Sequence, residues 1–311
     1  MVAVQTSGPW APSAQAPLGY DAPAMPGRAP PSDPSALPGA ESGGTPFDAG
    51  RQPPLPADDP VLAGDPLSLD ELAARWASAS ARPAISAEQM RGADLRAQRQ
   101  GVSGEWLMEH AGAAVAAACR SLLRETERAE GAGPVLILIG PGNNGGDGSV
   151  AARHLARSGV RTAVVLVASQ PRPQTPDGAR NWDRLGGLAE VSRIHAPGGH
   201  DLALLQMGLE RAALIVDALL GTGVRGALRE PIRSAVDLCL RGRASGVPVL
   251  AVDGPTALDL TSGEPSDPVV RADLTVTFHR PKQGLLTASG RALAGGVLVA
   301  PIGIPAAADG G

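Results

Sequence analysis

Three stretches of the sequence set acids and glycines where chemistry could be done. In Val135-Leu-Ile-Leu-Ile-Gly140-Pro-Gly142-Asn143-Asn144-Gly145-Gly146-Asp147-Gly148, five glycines lie between an apolar run and an amphipathic one. Backbone without Cβ atoms can turn sharply and bring its amides close to a phosphate at a helix N-terminus. A bare strand–helix turn would not need two Asn and an Asp among the glycines. The second stretch, Leu214-Ile-Val-Asp217-Ala-Leu-Leu-Gly221-Thr222-Gly223, carries a carboxylate inside an apolar run. Such a group must be protonated, hydrogen-bonded or beside a cation, or else simply cap a loop. Gly221 to Ala227, with Arg225, reads as a loop able to close over a ligand. The third stretch, Val249-Leu-Ala-Val-Asp253-Gly254-Pro255-Thr256, puts Asp253 at the carboxyl end of an expected strand.

Asp147, Asp217 and Asp253 follow three different strands in the same sense, so they are expected to converge on one edge of a sheet. In open α/β sheets that edge is where ligands bind. Carboxylate, amide and hydroxyl oxygens gathered there suit a hard cation such as K⁺ or Mg²⁺. Lys282 is the only lysine, against 26 Arg; a surface lysine and a site lysine both fit it. Gly140, Gly142 and Gly145 also satisfy GxGxxG, but the next strand ends Val167-Ala-Ser-Gln170 without the acid that binds a ribose. An ordinary nicotinamide dehydrogenase is therefore excluded, and a Walker lysine is missing as well. His154 is expected in the core, His195 and His200 in solvent.

The elements that position these residues begin with two capping boxes, Ser68-Leu-Asp-Glu71 and Ser86-Ala-Glu-Gln89. They predict helices to about residue 79 and from 86 to about 100, followed by a long helix over 104–127. Strands are predicted at 135–139, 162–167, 214–216, 248–252, 274–277 and 297–300. Helices are expected at 148–158, 176–188, around 201–211 and at 230–241. This alternation is the signature of an α/β fold with a mostly parallel sheet covered on both faces.

Residues 1–66 carry 15 Pro and 8 Gly with a net charge of −5, and read as a disordered acidic tail. Residues 67–83 are a short helical lead-in, and 84–306 suffice for a single domain. The remainder beyond the tail is near neutral, which excludes a general nucleic-acid binder. No apolar run reaches 18 residues and Met1–Trp10 lacks a leader pattern, so a cytoplasmic protein with no membrane partner is expected. Cys119 and Cys239 lack metal-site spacing and are expected to fill core.

With these residues in place, the chain resembles the NAD(P)H-hydrate epimerases over about residues 84–306. The family's parts occur in order: Ser86-Ala-Glu-Gln-Met90 with Asp94, Leu107-Met108-Glu109-His110-Ala111-Gly112, Gly140–Gly148, Asp217–Gly223, Asp253–Thr256 and Arg271–Leu286. The resemblance implies a three-layer α/β/α Rossmann-like sandwich, often homodimeric, that interconverts the R and S forms of hydrated NADH or NADPH (NAD(P)HX). A companion dehydratase, fused in some relatives and without a counterpart in this sequence, would then restore the cofactor. Carried over residue by residue, Asn143, Asn144, Gly145, Gly146 and Asp147 would bind the hydrated dinucleotide. Gly221, Thr222, Gly223, Val224, Arg225, Gly226 and Ala227 would bind it as well, and so would Asp253. Asn144, Asp217 and Thr256 would hold one K⁺ per subunit, and Asp253 would be the catalytic acid/base. A second reading keeps the fold as a nucleotide-binding or scaffolding module without turnover. Four positions depart from the family pattern: Gly254 for Ile, Thr256 for Ser, Ala257 for Gly and His110 for Asn. If position 257 takes a positive φ, alanine there strains the loop.

Overall fold

The computed structural model describes residues 53–126, 133–222 and 226–309. A 3-10 turn at Pro56–Asp58 leads into the short helices α1 (Pro60–Ala63), α2 (Leu69–Arg75) and α3 (Ala77–Ser80), then α4 (Ala87–Arg99) and α5 (Gly104–Glu125). Strands and helices alternate from there: β1 (Val135–Ile139), α6 (Asn143–Arg157), β2 (Thr162–Val167), α7 (Pro176–Arg184), β3 (Val191–Ala196) and α8 (Gly199–Leu204). They continue as β4 (Leu214–Ala218), α9 (Ile232–Ala244), β5 (Val249–Val252), β6 (Leu274–Phe278), α10 (Ala288–Ala294) and β7 (Gly296–Ala300).

The seven strands form one sheet in the order β3-β2-β1-β4-β5-β6-β7, with every neighbouring pair parallel. Side chains alternate across it. Val135, Ile137 and Ile139 of β1 pack with α4, α5 and α6 on one face. Leu136 and Leu138 pack with α8 and α9 on the other. Cys119 and Cys239 fill these two layers and are free thiols. The order of connection reverses between β1 and β4, so the loops leaving these two strands diverge and open a crevice at the carboxyl edge.

Both capping boxes form as the spacing predicts, with Ser68 and Ser86 each accepting from the third helical amide. Four differences matter. Helix α6 starts at Asn143, five residues before the expected start, so its first turn is built from the glycines themselves. The segment expected as one helix over 201–211 is α8 followed by a 3-10 turn at Leu209–Arg211. Strand β3 was not expected: it is an edge strand whose Ser192 and Arg193 are exposed, which hides its alternation. The fourth difference lies at the N-terminus, where residues 53–66 are folded, not part of a disordered tail.

Proline composition misleads there because Pro56 and Pro60 each open a turn, a position where the missing N–H costs nothing. Asp59 is buried, accepts from the Val61 amide at 3.0 Å and pairs with Arg75 of α2. Arg120 and Arg124 of α5 donate to the Leu62 and Pro66 carbonyls at 3.0 and 2.7 Å. His110 is buried on α5, and its Nδ1 accepts the Ala57 amide at 3.1 Å. Burial lowers its pKa and favours the neutral ring this bond needs. Residues 1–52 of the expected tail lie outside the described residues.

Helices α5 and α6 are joined by Glu109, which bonds Arg153 and lies 2.8 Å from His154 Nε2. Burial works to raise the Glu109 carboxyl, and the His154 and Arg153 bonds and charges overcome it, bringing its pKa to about 2. His154 therefore faces α5, not the core expected for it. His195 is on β3, with Nε2 2.8 Å from the Ala168 carbonyl, and His200 is exposed.

Candidate active site

The glycine stretch makes three backbone segments touch. A Cβ on Gly145 would lie 2.0 Å from the Gly140 carbonyl, and one on Gly140 would lie 1.9 Å from the Leu219 carbonyl. The end of β1, the first turn of α6 and the exit of β4 can thus meet only if both residues are glycine. Asn143 is exposed at this helix start. Asn144 lies against Gly221, its Oδ1 3.2 Å from where a Cβ on that glycine would sit. Its Nδ2 is buried and has no hydrogen-bond partner among the described residues. Arg91 of α4 ties the same loop down by donating to the Thr222 carbonyl at 2.6 Å.

Asp217 is completely buried in β4. Its Oδ1 accepts the Thr256 hydroxyl at 2.7 Å and the Leu219 amide at 3.2 Å, and its Oδ2 accepts the Thr256 amide at 2.8 Å. Burial pushes its pKa up to about 6 against the lowering pull of these bonds. Among the described residues no Arg, Lys or His pairs with it. Thr256 Oγ1 also accepts from the Leu220 amide at 3.1 Å and lies 3.3 Å from the Leu220 carbonyl. Asp217 and Thr256 are therefore one hydrogen-bonded unit joining the β4 and β5 loops.

Asp253 follows β5 with φ of +65° and is 8% exposed. Its Oδ1 accepts the Lys282 ammonium at 2.9 Å and the Thr277 hydroxyl at 3.0 Å. Burial raises the pKa of Asp147 well above the usual carboxylate range, helped by the negative charges of Asp253 and then Asp94. Asp94, on α4, is itself raised by burial and accepts from Gln98 at 2.9 Å. Three carboxylates from α4, α6 and the β5 loop thus share one electrostatic site, with a lysine behind the third. A cleft of about 440 Å³, lined by none of these three carboxylates, opens between Gly226, Leu228 and the turn from Ala257 to Ser266. That is the size of a small-molecule pocket.

The expected convergence of Asp147, Asp217 and Asp253 on one sheet edge is what the strand order produces. Gly145 and Gly146 are buried in the α6 turn, while Gly226 and Ala227 are exposed, Gly226 at the cleft. Gly223, Val224 and Arg225 lie outside the described residues. Four contributors were not singled out as site residues by their sequence: Lys282, Thr277, Asp94 and Arg91. Asp94 gave a signal as part of the family pattern and Lys282 as the single lysine, which resolves as fully buried.

Residues 104–284 match the family described as "YjeF-related protein N-terminus". The NAD(P)H-hydrate epimerase of Cenarchaeum symbiosum is 38% identical over 229 residues, which cover 73% of this chain and 98% of that protein. The chain belongs to the NAD(P)H-hydrate epimerase family. The bifunctional NAD(P)H-hydrate repair enzyme Nnr of Pyrobaculum aerophilum is 44% identical over 72% of this chain. The chain spans only 42% of that relative's length and 40% of its counterpart in Methanothermobacter thermautotrophicus. The crystal structure of yeast ynu0, YNL200c, superposes with a TM-score of 0.57 at 29% identity, over 65% of this chain and 83% of the other.

Against the epimerase pattern, Ala257 matters most. It takes φ of +78°, a region where a Cβ costs about 1–2 kcal/mol. Ala257→Gly is expected to stabilise this epimerase-family chain by about 0.5–1 kcal/mol, since relief of strain outweighs glycine's greater freedom when unfolded. Urea unfolding measures it, and a lower midpoint for the glycine variant would contradict the strain.

Proposed function

We propose that this chain interconverts the R and S epimers of hydrated NADH and NADPH, using Asp253 as its acid/base. The observation that carries this reading is the placement of Asp253, paired with Lys282, beside Asp147, whose burial favours its neutral form. Epimerisation needs the hydroxyl to leave one face of the hydrated ring and return to the other. A neutral carboxyl can give the proton with which hydroxide departs as water. An ionised carboxylate can take a proton from the water that adds to the opposite face, and general acid–base help of this kind is worth about 10²- to 10⁴-fold. The dinucleotide's phosphates belong on the first turn of α6, at Asn143 to Asp147, and against the loop from Gly221 to Ala227.

One K⁺ fits the oxygens of Asn144, Asp217 and Thr256, because Asp217 is a completely buried carboxylate that no cationic side chain among the described residues pairs with, and every donor here is a hard oxygen. Bound there, the ion would supply positive charge that steadies the β4 and β5 loops; the residues that bind and protonate substrate are those above. We further read the protein as a cytoplasmic homodimer whose product is consumed by a separate dehydratase. Among the described residues no helix is long and apolar enough to cross a membrane.

The test follows R-to-S conversion of NADHX by chromatography, with protein and without it, each with and without K⁺. A protein-dependent rate, larger in K⁺, is expected. A rate equal to the protein-free control would end the enzymatic reading and leave a module that binds without turning over.

A further inference from the structure

We infer that Lys282 is a positioning residue for Asp253, and that with Thr277 it leaves Oδ2 as the one oxygen of that carboxylate that works on substrate. The inference rests on the reading that Asp253 does the chemistry. Its own basis is a closed triangle of hydrogen bonds. Lys282 Nζ donates to Asp253 Oδ1 at 2.9 Å, to Thr277 Oγ1 at 2.8 Å and to the Phe278 carbonyl at 2.9 Å. Thr277 in turn donates its single hydroxyl hydrogen to Asp253 Oδ1 at 3.0 Å. An ammonium has three hydrogens, and all three are used. Lys282 is 0% exposed, so it has neither a free hydrogen nor a path to a ligand. It acts through Asp253.

Oδ1 is thereby filled by two donors. Oδ2 accepts no hydrogen bond among the described residues, and Asp253 keeps 8% of its surface open. A carboxylate held through one oxygen presents the other at a fixed angle, which a freely rotating one cannot do. The lysine is itself located by the chain. Ile85 and Lys282 form a parallel bridge, with the Ile85 amide 2.9 Å from the Pro281 carbonyl and the Gln283 amide 3.0 Å from the Ile85 carbonyl. The segment leading into α4 therefore sets the lysine's height behind the sheet.

The triangle also explains why one lysine survives in a sequence that otherwise uses 26 arginines. A guanidinium carries five N–H groups in a plane, and this enclosure offers four acceptors, the Arg280 carbonyl at 3.5 Å being the fourth. Arginine at 282 would bury a donor without a partner.

The experiment compares kcat and KM for NADHX epimerisation, and the pH profile of kcat/KM, in the wild type and in T277V, T277S, K282M, K282R and D253N. Thermal unfolding of each variant is recorded alongside. T277V is nearly isosteric and removes one donor to Oδ1. It is expected to lower kcat about 10-fold with KM within about 3-fold, and T277S to restore it. K282M is expected to lose about 100-fold or more in kcat, and K282R not to rescue it. In both T277V and K282M the acid limb should move to higher pH, because a carboxylate losing a donor or a cation takes up its proton more readily. The charge of Asp147 on α6, which interacts with that of Asp253, is unchanged in these variants. If K282M does not fold, T277V and T277S decide. T277V with wild-type kcat and an unmoved acid limb, or folded K282M with kcat within 3-fold of wild type, overturns the inference. D253N separates the two readings. If it stays active, the assignment of Asp253 itself fails; if it is inactive while T277V is unaffected, only the positioning role fails.

Discussion

Asp253→Asn is expected to bring NADHX epimerisation down to the protein-free rate while the chain remains folded. Asparagine tolerates positive φ better than other non-glycine residues, so the +65° backbone at this position survives the change. Its amide oxygen can still accept from Lys282 and Thr277, which keeps the buried ammonium partnered. What is removed is the negative charge and the capacity to gain and lose a proton. The loss expected is at least 10²-fold and as much as 10⁴-fold, the range that a positioned acid/base supplies. Asp253→Ala is a different experiment. Both changes take the anion from the buried Lys282, but alanine takes the acceptor oxygen as well, an error that costs about 3–5 kcal/mol. Asp253→Ala also puts a second alanine into the left-handed region. Both variants should thus be inactive, with the unfolding midpoint of the alanine variant clearly below that of the asparagine variant. Chromatography of the epimers and urea unfolding of both variants check this pair of outcomes. An active asparagine variant would remove Asp253 from the mechanism.

The second large effect is expected at Gly145→Ala. Helix propensity alone says that alanine inside α6 should stabilise by about 1 kcal/mol. The geometry says the opposite. The new methyl would sit 2.0 Å from the Gly140 carbonyl oxygen and 3.1 Å from the Gly140 nitrogen, both fixed backbone at the end of β1. Backbone cannot rotate aside as a side chain can, so strand and helix must separate, at a cost of about 3 kcal/mol or more. The same separation would pull Asn144 from Gly221 and move the turn proposed to hold the phosphates, so activity should fall together with stability. Gly142→Ala is the control. Nothing lies within 4 Å of a Cβ there, and a change of about 1 kcal/mol or less is expected at this N-cap. Equal stabilities for the two alanine variants would mean that the close approach of β1 and α6 is not needed.

The framework of this fold is legible in its sequence because strong local signals agree with tertiary ones. Val135–Ile139 and Thr162–Val167 are apolar runs bounded by breakers, and they form strands with those bounds. Ser68 and Ser86 announce their helices through capping chemistry that needs no tertiary partner. Asp147, Asp217 and Asp253 could be placed on one edge because strand direction alone fixes which end each acid follows. What stayed hidden depends on contacts distant in sequence. Asp94, named only as part of a pattern, takes a place in the site once the fold brings its charge to bear on Asp147, and Thr277 looks like any β-branched strand residue until Lys282 is folded behind it. The glycines of the α6 turn read as loop because helix propensity counts against them, whereas the deciding factor is the absence of Cβ atoms where backbones touch. Residues 53–66 were hidden in another way. Proline density signals disorder when prolines fall at random, and here Pro56 and Pro60 fall on first turns, with Asp59 and His110 fastening the segment.

The bridge between Ile85 and Lys282 has a consequence for how the molecule is made. The segment that locates the lysine leaves the ribosome nearly two hundred residues before the lysine itself. Arg96 likewise waits for the Ala308 and Asp309 carbonyls, to which it donates at 2.7 and 2.9 Å. During synthesis α4 therefore has no finished surface to close against. The proposed acid/base stays without its ammonium until β6 and the residues after it have emerged. Assembly of the site thus waits for residue 282 in a chain grown from its N-terminus, and a nascent protein halted before residue 282 would carry the glycine turn and all three aspartates without a working site.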